Sequence, residues 1–215
     1  MGDLVTLCSL DIVLFDFGGV LADEGFANGL KAIGRGNGFD PEAFFWTGAF
    51  LVHETGYVTG RCSEADYWEA LRRKTGIKDS DSKLRDEILS RFILRKWMLA
   101  IAAQIRKAGA RTGILSDQTN WLDELNEKYD FFRYFDYVFN SFHYGKSKHD
   151  ASWFKDVTAI LNIPPERTLF IDDNAGNCSR ARQGGIHAIQ YSGRIPFIED
   201  LATYCPFMET ESLKS

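Results

Sequence analysis

The sequence predicts a doubly wound α/β domain, a parallel sheet with helices on both faces, carrying an inserted helical cap. Three observations lead there. Short, unbroken apolar runs recur along the chain, the pattern of strands buried on both faces. Helical stretches that end at glycine or proline alternate with these runs, as a parallel sheet requires if each strand is to return in the same direction. Between the first run and the second lie about 90 residues with helical patterns only, where a strand-to-helix connection normally takes a few.

The first run is Ile12-Val13-Leu14-Phe15-Asp16-Phe17, which stops at Gly18-Gly19 and belongs in the middle of the sheet. The long block after it shows helical patterns near residues 25–34, 41–52, 64–75 and 82–95, punctuated by turn signals at Asn37-Gly38, Asp40-Pro41, Thr59-Gly60 and Gly76. It reads as a helical cap, residues 22–96, packed over the carboxyl ends of the strands, where open α/β sheets bind ligands; residues 1–21 and 97–215 form the α/β core. An amphipathic stretch at 97–108 ends at Gly109 and leads into the second run, Thr112-Gly113-Ile114-Leu115. Tyr137-Val138-Phe139 is the third run, and a helix over 150–162 stops at Pro164-Pro165 before the fourth, Thr168-Leu169-Phe170-Ile171. A helix at 176–183 ends at Gly184-Gly185, ahead of a weaker strand at His187-Ala188-Ile189-Gln190. The tail after Pro206 is polar and expected to fray.

The chain has 215 residues, enough for one substantial core with a small appended module, and 45% are hydrophobic, which excludes a disordered polypeptide. Lys and Arg number 25 against 30 Asp and Glu, a net charge of −5, so no overall positive field exists to hold a nucleic acid. An acidic enzyme acting on small molecules is expected. Cys8, Cys62, Cys178 and Cys205 are scattered and form no Cys-x-x-Cys pair, so neither a disulfide framework nor a zinc knuckle is indicated, and a reducing cytoplasm is the expected compartment. The N-terminus carries Asp3 and Asp11 and no basic leader region, and no apolar run reaches the ~18 residues of a bilayer span. A soluble, unprocessed protein without membrane or nucleic-acid partners is expected. The sequence says nothing of oligomeric state.

Polar clusters follow the ends of four of the runs: Asp16 the first, Ser116-Asp117 the second, Lys148 several residues beyond the third, and Asp172-Asp173-Asn174 the fourth. Adjacent parallel strands lie under ~5 Å apart, so these groups converge on one pocket. A carboxylate trio, a lysine and a hydroxyl together suit a divalent cation and a phosphate, because Mg²⁺ takes a few carboxylate oxygens and leaves the rest of its octahedron to water and substrate phosphate. With the phosphate charge neutralised, Asp16 is placed to attack phosphorus and form an acyl phosphate. Blander roles compete at each position. Asp16 and Ser116 suit helix caps or turns, Asp172-Asp173 suits an exposed turn, and Lys146 rivals Lys148, although spacing from Gly145 favours Lys148.

Together these residues carry a family resemblance. Phe15-Asp16-Phe17-Gly18-Gly19-Val20-Leu21, Ile114-Leu115-Ser116-Asp117, Gly145-Lys146-Ser147-Lys148 and Phe170-Ile171-Asp172-Asp173-Asn174 with Asn177 resemble, in order, the four motifs of the haloacid dehalogenase-like (HAD) hydrolase superfamily. The insertion resembles the C1 cap of its phosphatase branch, where the chain is similar to bacterial sugar-phosphate phosphatases and to the phosphatase domain of soluble epoxide hydrolase. The resemblance implies a Mg²⁺-dependent phosphatase that hydrolyses a small phosphorylated metabolite, a sugar phosphate among the candidates, through an aspartyl-phosphate intermediate. It implies Asp16 as the nucleophile and Ser116, Asp117 and Lys148 around the transferring phosphoryl group. Asp16, the backbone carbonyl of Gly18 and Asp173 are the implied Mg²⁺ ligands, with Asp172 acting through water or as an alternative ligand.

Two departures from the family pattern matter. The first motif normally reads Asp-x-Asp, the second Asp being the general acid and base, and Gly18 stands there; the residue after the motif lysine is usually proline, and His149 stands there. The loss of the acid predicts a rate that falls steeply as the leaving group becomes more basic. It also keeps open a catalytically impaired phosphate-binding or regulatory protein. A 2-haloacid dehalogenase is the other alternative, since halide departs without a proton, but that displacement needs no metal and an added Asp pair would only repel the nucleophile. Among lesser signals, Gly34-Arg35-Gly36-Asn37-Gly38 follows no strand, and Gly145-Lys146-Ser147 lacks the first glycine of a phosphate loop. Arg72-Arg73-Lys74 reads as a solvated helix face, and Phe44, Phe45, Trp46 and Phe50 read as cap core. His53, Glu54 and Arg61 either face the substrate or sit on the surface.

Overall fold

The computed structural model describes residues 9–206. Cys8 and the polar tail after Pro206 lie outside them. Five strands form one parallel sheet in the order β3-β2-β1-β4-β5: β1 (Ile12–Phe15), β2 (Arg111–Ser116), β3 (Tyr137–Asn140), β4 (Thr168–Asp172) and β5 (His187–Gln190). In β1, Ile12 and Leu14 enter one apolar cluster while Val13 and Phe15 enter the other, so both faces are covered, as the unbroken apolar run requires. From β1 the chain builds outward through β2 and β3, then crosses to the other side of β1 to lay down β4. That reversal between β1 and β4 is a topological switch point, where α/β sheets leave a crevice at their carboxyl ends.

Four helices enter between β1 and the first core helix: α1 (Gly25–Gly36), α2 (Pro41–Glu54), α3 (Glu64–Thr75) and α4 (Asp81–Leu89). Their boundaries follow local chemistry. Asp40 caps α2 ahead of Pro41, and Ser63 with Asp66 forms a capping box on α3. Gly76 closes α3 in the left-handed conformation, and Ser80 caps α4. α4 stops at Leu89, short of the helix expected to reach residue 95, because the apolar periodicity lapses: Ile93 is exposed while Leu94 forms an antiparallel bridge to Ala22. Arg95 then donates to the carbonyls of Gly19 and Val20 and to the Asp23 carboxylate, pinning the returning chain to the loop after β1.

The remaining helices are α5 (Lys96–Lys107), α6 (Trp121–Tyr129), α7 (Ser141–Tyr144), α8 (Ser152–Leu161), α9 (Ala175–Gln183) and α10 (Arg194–Tyr204). α8 and α9 cover one face of the sheet through Trp153, Phe154, Val157 and Cys178, and α5, α6 and α10 cover the other. That second cluster runs on without a break into Leu30, Phe44, Tyr67 and Trp68 of the inserted helices. α6 and α10, which periodicity did not reveal, bury only three residues each, Trp121, Leu122 and Leu125 in the first and Phe197, Ile198 and Leu201 in the second.

Specific polar bonds join insertion to core. Glu64 accepts hydrogen bonds from the indole nitrogens of Trp68 at 3.0 Å and Trp121 at 2.9 Å and pairs with Arg85. Tyr57 Oη donates to Asn120 at 2.6 Å, and Ser141 Oγ donates to the Val58 carbonyl at 2.7 Å. At Gly60 the Phe142 carbonyl comes so close that no side chain fits. Of the four aromatics expected to form cap core, Phe44 is buried, Phe45 is half-buried, and Trp46 and Phe50 are 66% and 61% exposed; buried Tyr57, Tyr67 and Trp68 supply that core instead. The basic run on α3 is a solvated face in part, but Arg72 is fixed to Asp81 and to the Asp79 carbonyl. Cys62 and Cys178 are free thiols, whereas Cys205 is disulfide-bonded, which corrects the expectation of no disulfide.

Candidate active site

The sheet delivers its polar residues to one crevice. Asp16 continues β1 by one residue, its N–H bonded to the Ile171 carbonyl at 2.8 Å, so its position is fixed by the ladder between β1 and β4. Its Oδ1 accepts from the Ser116 hydroxyl and from the Phe17 N–H, both at 2.7 Å, and its Oδ2 meets Lys148 Nζ at 2.7 Å. Lys148 Nζ also donates to Asp172 Oδ2 at 2.6 Å. The loop carrying the lysine is held at both polar ends of its backbone: the Lys148 N–H donates to both Asp117 oxygens at 2.8 and 3.1 Å, and its carbonyl accepts from Arg180 Nε at 2.6 Å. Lys146, the sequence rival, points away and pairs with Asp156. The structure therefore brings Asp16, Ser116, Lys148 and Asp172 together and places Asp117 behind the lysine, where both its oxygens are engaged.

Charge is unbalanced in this crevice. Asp16, Asp172 and Asp173 each offer one carboxylate oxygen, all within 4.8 Å of one another, and Lys148 is the ammonium among them. Burial pushes the Asp16 carboxyl well above the usual carboxylate range, opposed by Lys148 and reinforced by Asp172. Burial also raises Asp173, with Asp172 adding to it. Burial works against the Lys148 ammonium, but Asp16, Asp172 and Asp117 outweigh it and its pKa is raised. A hard divalent cation suits this donor set, since it would offset the surplus negative charge and hold Asp16 ionised. Asp172 is fully buried with both oxygens bonded, to Lys148, Asn177 and the Asn174 N–H, so it is suited to fix the lysine more than to bind a cation directly. Asp173 is exposed to the crevice, and Gly19, at φ +78°, leaves it room: a Cβ there would run into the Asp173 carboxylate.

One residue of the site was missed by sequence reasoning. Glu24 caps α1, its Oε1 accepting from the Ala27 N–H at 3.0 Å, while its Oε2 lies 2.7 Å from where a Cβ on Gly18 would stand and accepts no hydrogen bond among the described residues. Burial raises its pKa, with Asp173 contributing in the same direction. The only signal in the sequence was an acid just ahead of a helical pattern, which reads as a cap and nothing more. The missing carboxyl of the first motif is thus answered in space, from the start of the insertion.

Above these residues the crevice opens into a cavity of about 430 Å³ roofed by α1, α2 and the Tyr57–Thr59 turn. His53 of α2 stacks on His149 of the core with ring centroids 4.5 Å apart, and both line the cavity. Of the other cap candidates, Glu54 is exposed and Arg61 bonds Thr59 at 3.1 Å; neither reaches the cavity.

The chain belongs to the haloacid dehalogenase-like hydrolases, whose family model matches residues 10–185. Its parallel sheet is the Rossmann-like fold of that family. A HAD-like family hydrolase from Porphyromonas gingivalis superposes with a TM-score of 0.70 at 27% identity, covering 90% of this chain and 98% of that one. A HAD family enzyme of Bacteroides thetaiotaomicron in complex with magnesium and inorganic phosphate gives 0.66 at 25% identity, covering 84% and 93%. The L-2-haloacid dehalogenase of Xanthobacter autotrophicus, with chloropropionic acid covalently bound, shares the fold at 18% identity and a TM-score of 0.63, covering 95% and 88%. Among curated relatives, drimenol cyclase drtB of Aspergillus calidoustus is 27% identical over 63% of this chain, and bifunctional epoxide hydrolase 2 of Rattus norvegicus is 26% identical over 51%. The matches span 26% and 21% of those two longer proteins.

Proposed function

We propose that this protein is a Mg²⁺-dependent phosphatase that hydrolyses a small phosphorylated metabolite through a phosphoryl group carried on Asp16. The observation that carries this reading is the cluster of Asp16, Asp172 and Asp173 around a single buried lysine. Asp16, Asp173 and the Gly18 carbonyl would hold the cation, which when bound neutralises phosphate charge and polarises the phosphoryl group. The magnesium and phosphate in the Bacteroides enzyme support the same reading.

Each residue then has a task. Ser116 and Lys148 orient Asp16 and receive the non-bridging phosphoryl oxygens, and Asp117 and Arg180 keep the lysine in place. Asp16 attacks phosphorus as the ester bond to the leaving oxygen breaks, and Glu24 gives that oxygen a proton. A water molecule, losing its proton to Glu24, next attacks the acyl phosphate; inorganic phosphate leaves and the Asp16 carboxylate is restored. With Glu24 in this role the enzyme does not depend on good leaving groups, so the steep dependence expected from Gly18 is replaced by a shallow one.

A dehalogenase is less well supported, because halide displacement from carbon gains nothing from Asp172 and Asp173 beside the nucleophile. Turnover of p-nitrophenyl phosphate with and without Mg²⁺, beside chloride release from 2-chloropropionate, tests the choice. Mg²⁺-dependent phosphate release without chloride release is expected; chloride release indifferent to metal would overturn the proposal, and neither product would indicate a phosphate-binding protein.

A further inference from the structure

The geometry points to the phosphate monoester of an apolar alcohol, alkyl or aryl, as the substrate class. This rests on the phosphatase reading and concerns the half of the cavity that receives the leaving group. Its floor is charged and Glu24 stands at its edge, but the roof formed by α1, α2 and the following turn is apolar: Phe26, Phe45, Val52, Val58 and two alanines line it, and His53 is the one polar side chain that these elements contribute. On the core side, the Thr119 hydroxyl accepts from the Trp121 N–H, Asn174 accepts from Gly176 and Asn177, and Asn177 is bonded to Asp172 and Arg180. Those acceptor oxygens are already partnered. Asn174 Nδ2, Gln118 and His149 on the core side and His53 on the roof are left to meet hydroxyls.

A sugar placed under this roof would lose water from a ring of hydroxyls and regain few hydrogen bonds, whereas an apolar chain loses nothing and removes its own surface from water. The apolar surface also continues outward. Phe45 packs against Trp46 with ring centroids 4.8 Å apart, and Trp46 and Phe50 stand exposed on the same helix. A chain longer than the cavity therefore has a path along α2, with the phosphate still against the floor.

The test is kcat/KM with Mg²⁺ for a homologous series of linear monoalkyl phosphates, ethyl to octyl, and for naphthyl phosphate, against glucose 1-phosphate and glucose 6-phosphate. Linear alkyl alcohols differ little in basicity, so a slope along the series reports burial and not leaving-group chemistry. The expected result is a rise of about four-fold per methylene until the cavity is filled, with both glucose esters at least ten-fold below octyl phosphate. Phe45→Ala should flatten that rise. A flat series, or glucose esters at or above octyl phosphate, overturns this inference and leaves the phosphatase reading standing. If no ester is turned over faster than by Asp16→Asn, the phosphatase reading itself fails and the inference goes with it.

Discussion

In the proposed mechanism a single side chain, Glu24, alters the chemistry expected of the first motif. The space a carboxyl at position 18 would enter is bordered by Glu24 Oε2, 2.7 Å from a Cβ there, so two acids cannot share it without repulsion. Glu24→Gln should therefore lower kcat on alkyl phosphates by about 10²–10⁴-fold, the usual range for one general acid, and lower it much less on p-nitrophenyl phosphate. Gly18→Asp alone should reduce activity, and the same change in a Glu24→Ala background should restore part of what Glu24→Ala loses; steady-state rates of the three variants decide this. Asp173 makes a separate prediction. Its asparagine variant should need a higher Mg²⁺ concentration for half-maximal activity with unchanged far-ultraviolet circular dichroism, and an unaltered metal titration would remove Asp173 from the ligand set. Sequence alone singled out Asp16, Ser116, Lys148 and Asp173, because each follows the carboxyl end of a recognisable apolar run. Glu24 escaped because its partner position, Gly18, is adjacent only after α1 folds back over the strand ends.

The inserted helices are held to the core at a few polar points. Glu64 takes both indole N–H groups of Trp68 and Trp121 and pairs with Arg85. Glu64→Ala would leave the two indoles without that acceptor, and a loss of about 1.5–3 kcal/mol in unfolding free energy is expected from urea titration. His53 makes the contact nearer the site. Its pKa is lowered, first by burial and then by the neighbouring His149, with Asp117 acting the other way. A histidine depressed in the folded state contributes stability above its unfolded value of about 6.5, and that stability is lost as pH falls through the lower folded value. The wild-type Tm should therefore fall between pH 7.5 and pH 5 by more than that of His53→Phe, compared in the same buffers. Helices with strong caps and glycine stops were legible in the sequence; α3 is found at the predicted residues 64–75. α6 and α10 were not, since each buries one short apolar cluster and is otherwise indistinguishable from polar loop.

At the scale of the molecule, the sheet and the insertion divide the work. The order β3-β2-β1-β4-β5 puts the end of β1 beside the end of β4, and with them Asp16 beside Asp172 and Asp173. The insertion roofs this charged floor with apolar side chains and adds Glu24 at its edge. The sheet was legible because strands buried on both faces leave unbroken apolar runs, whereas the character of the roof was not, since which side of α2 faces the cavity is decided by packing against α1 and α3. No helix among the described residues is long and apolar enough to cross a membrane. The central claim is that phosphate passes through Asp16. Rapid acid quench of the wild-type protein during turnover of an alkyl phosphate with Mg²⁺, followed by peptide mass spectrometry, tests it most directly. A hydroxylamine-labile phosphoryl group on Asp16, absent in Asp16→Asn, is the predicted result; turnover at the wild-type rate by Asp16→Asn, or a phosphoryl group on another residue, would contradict it.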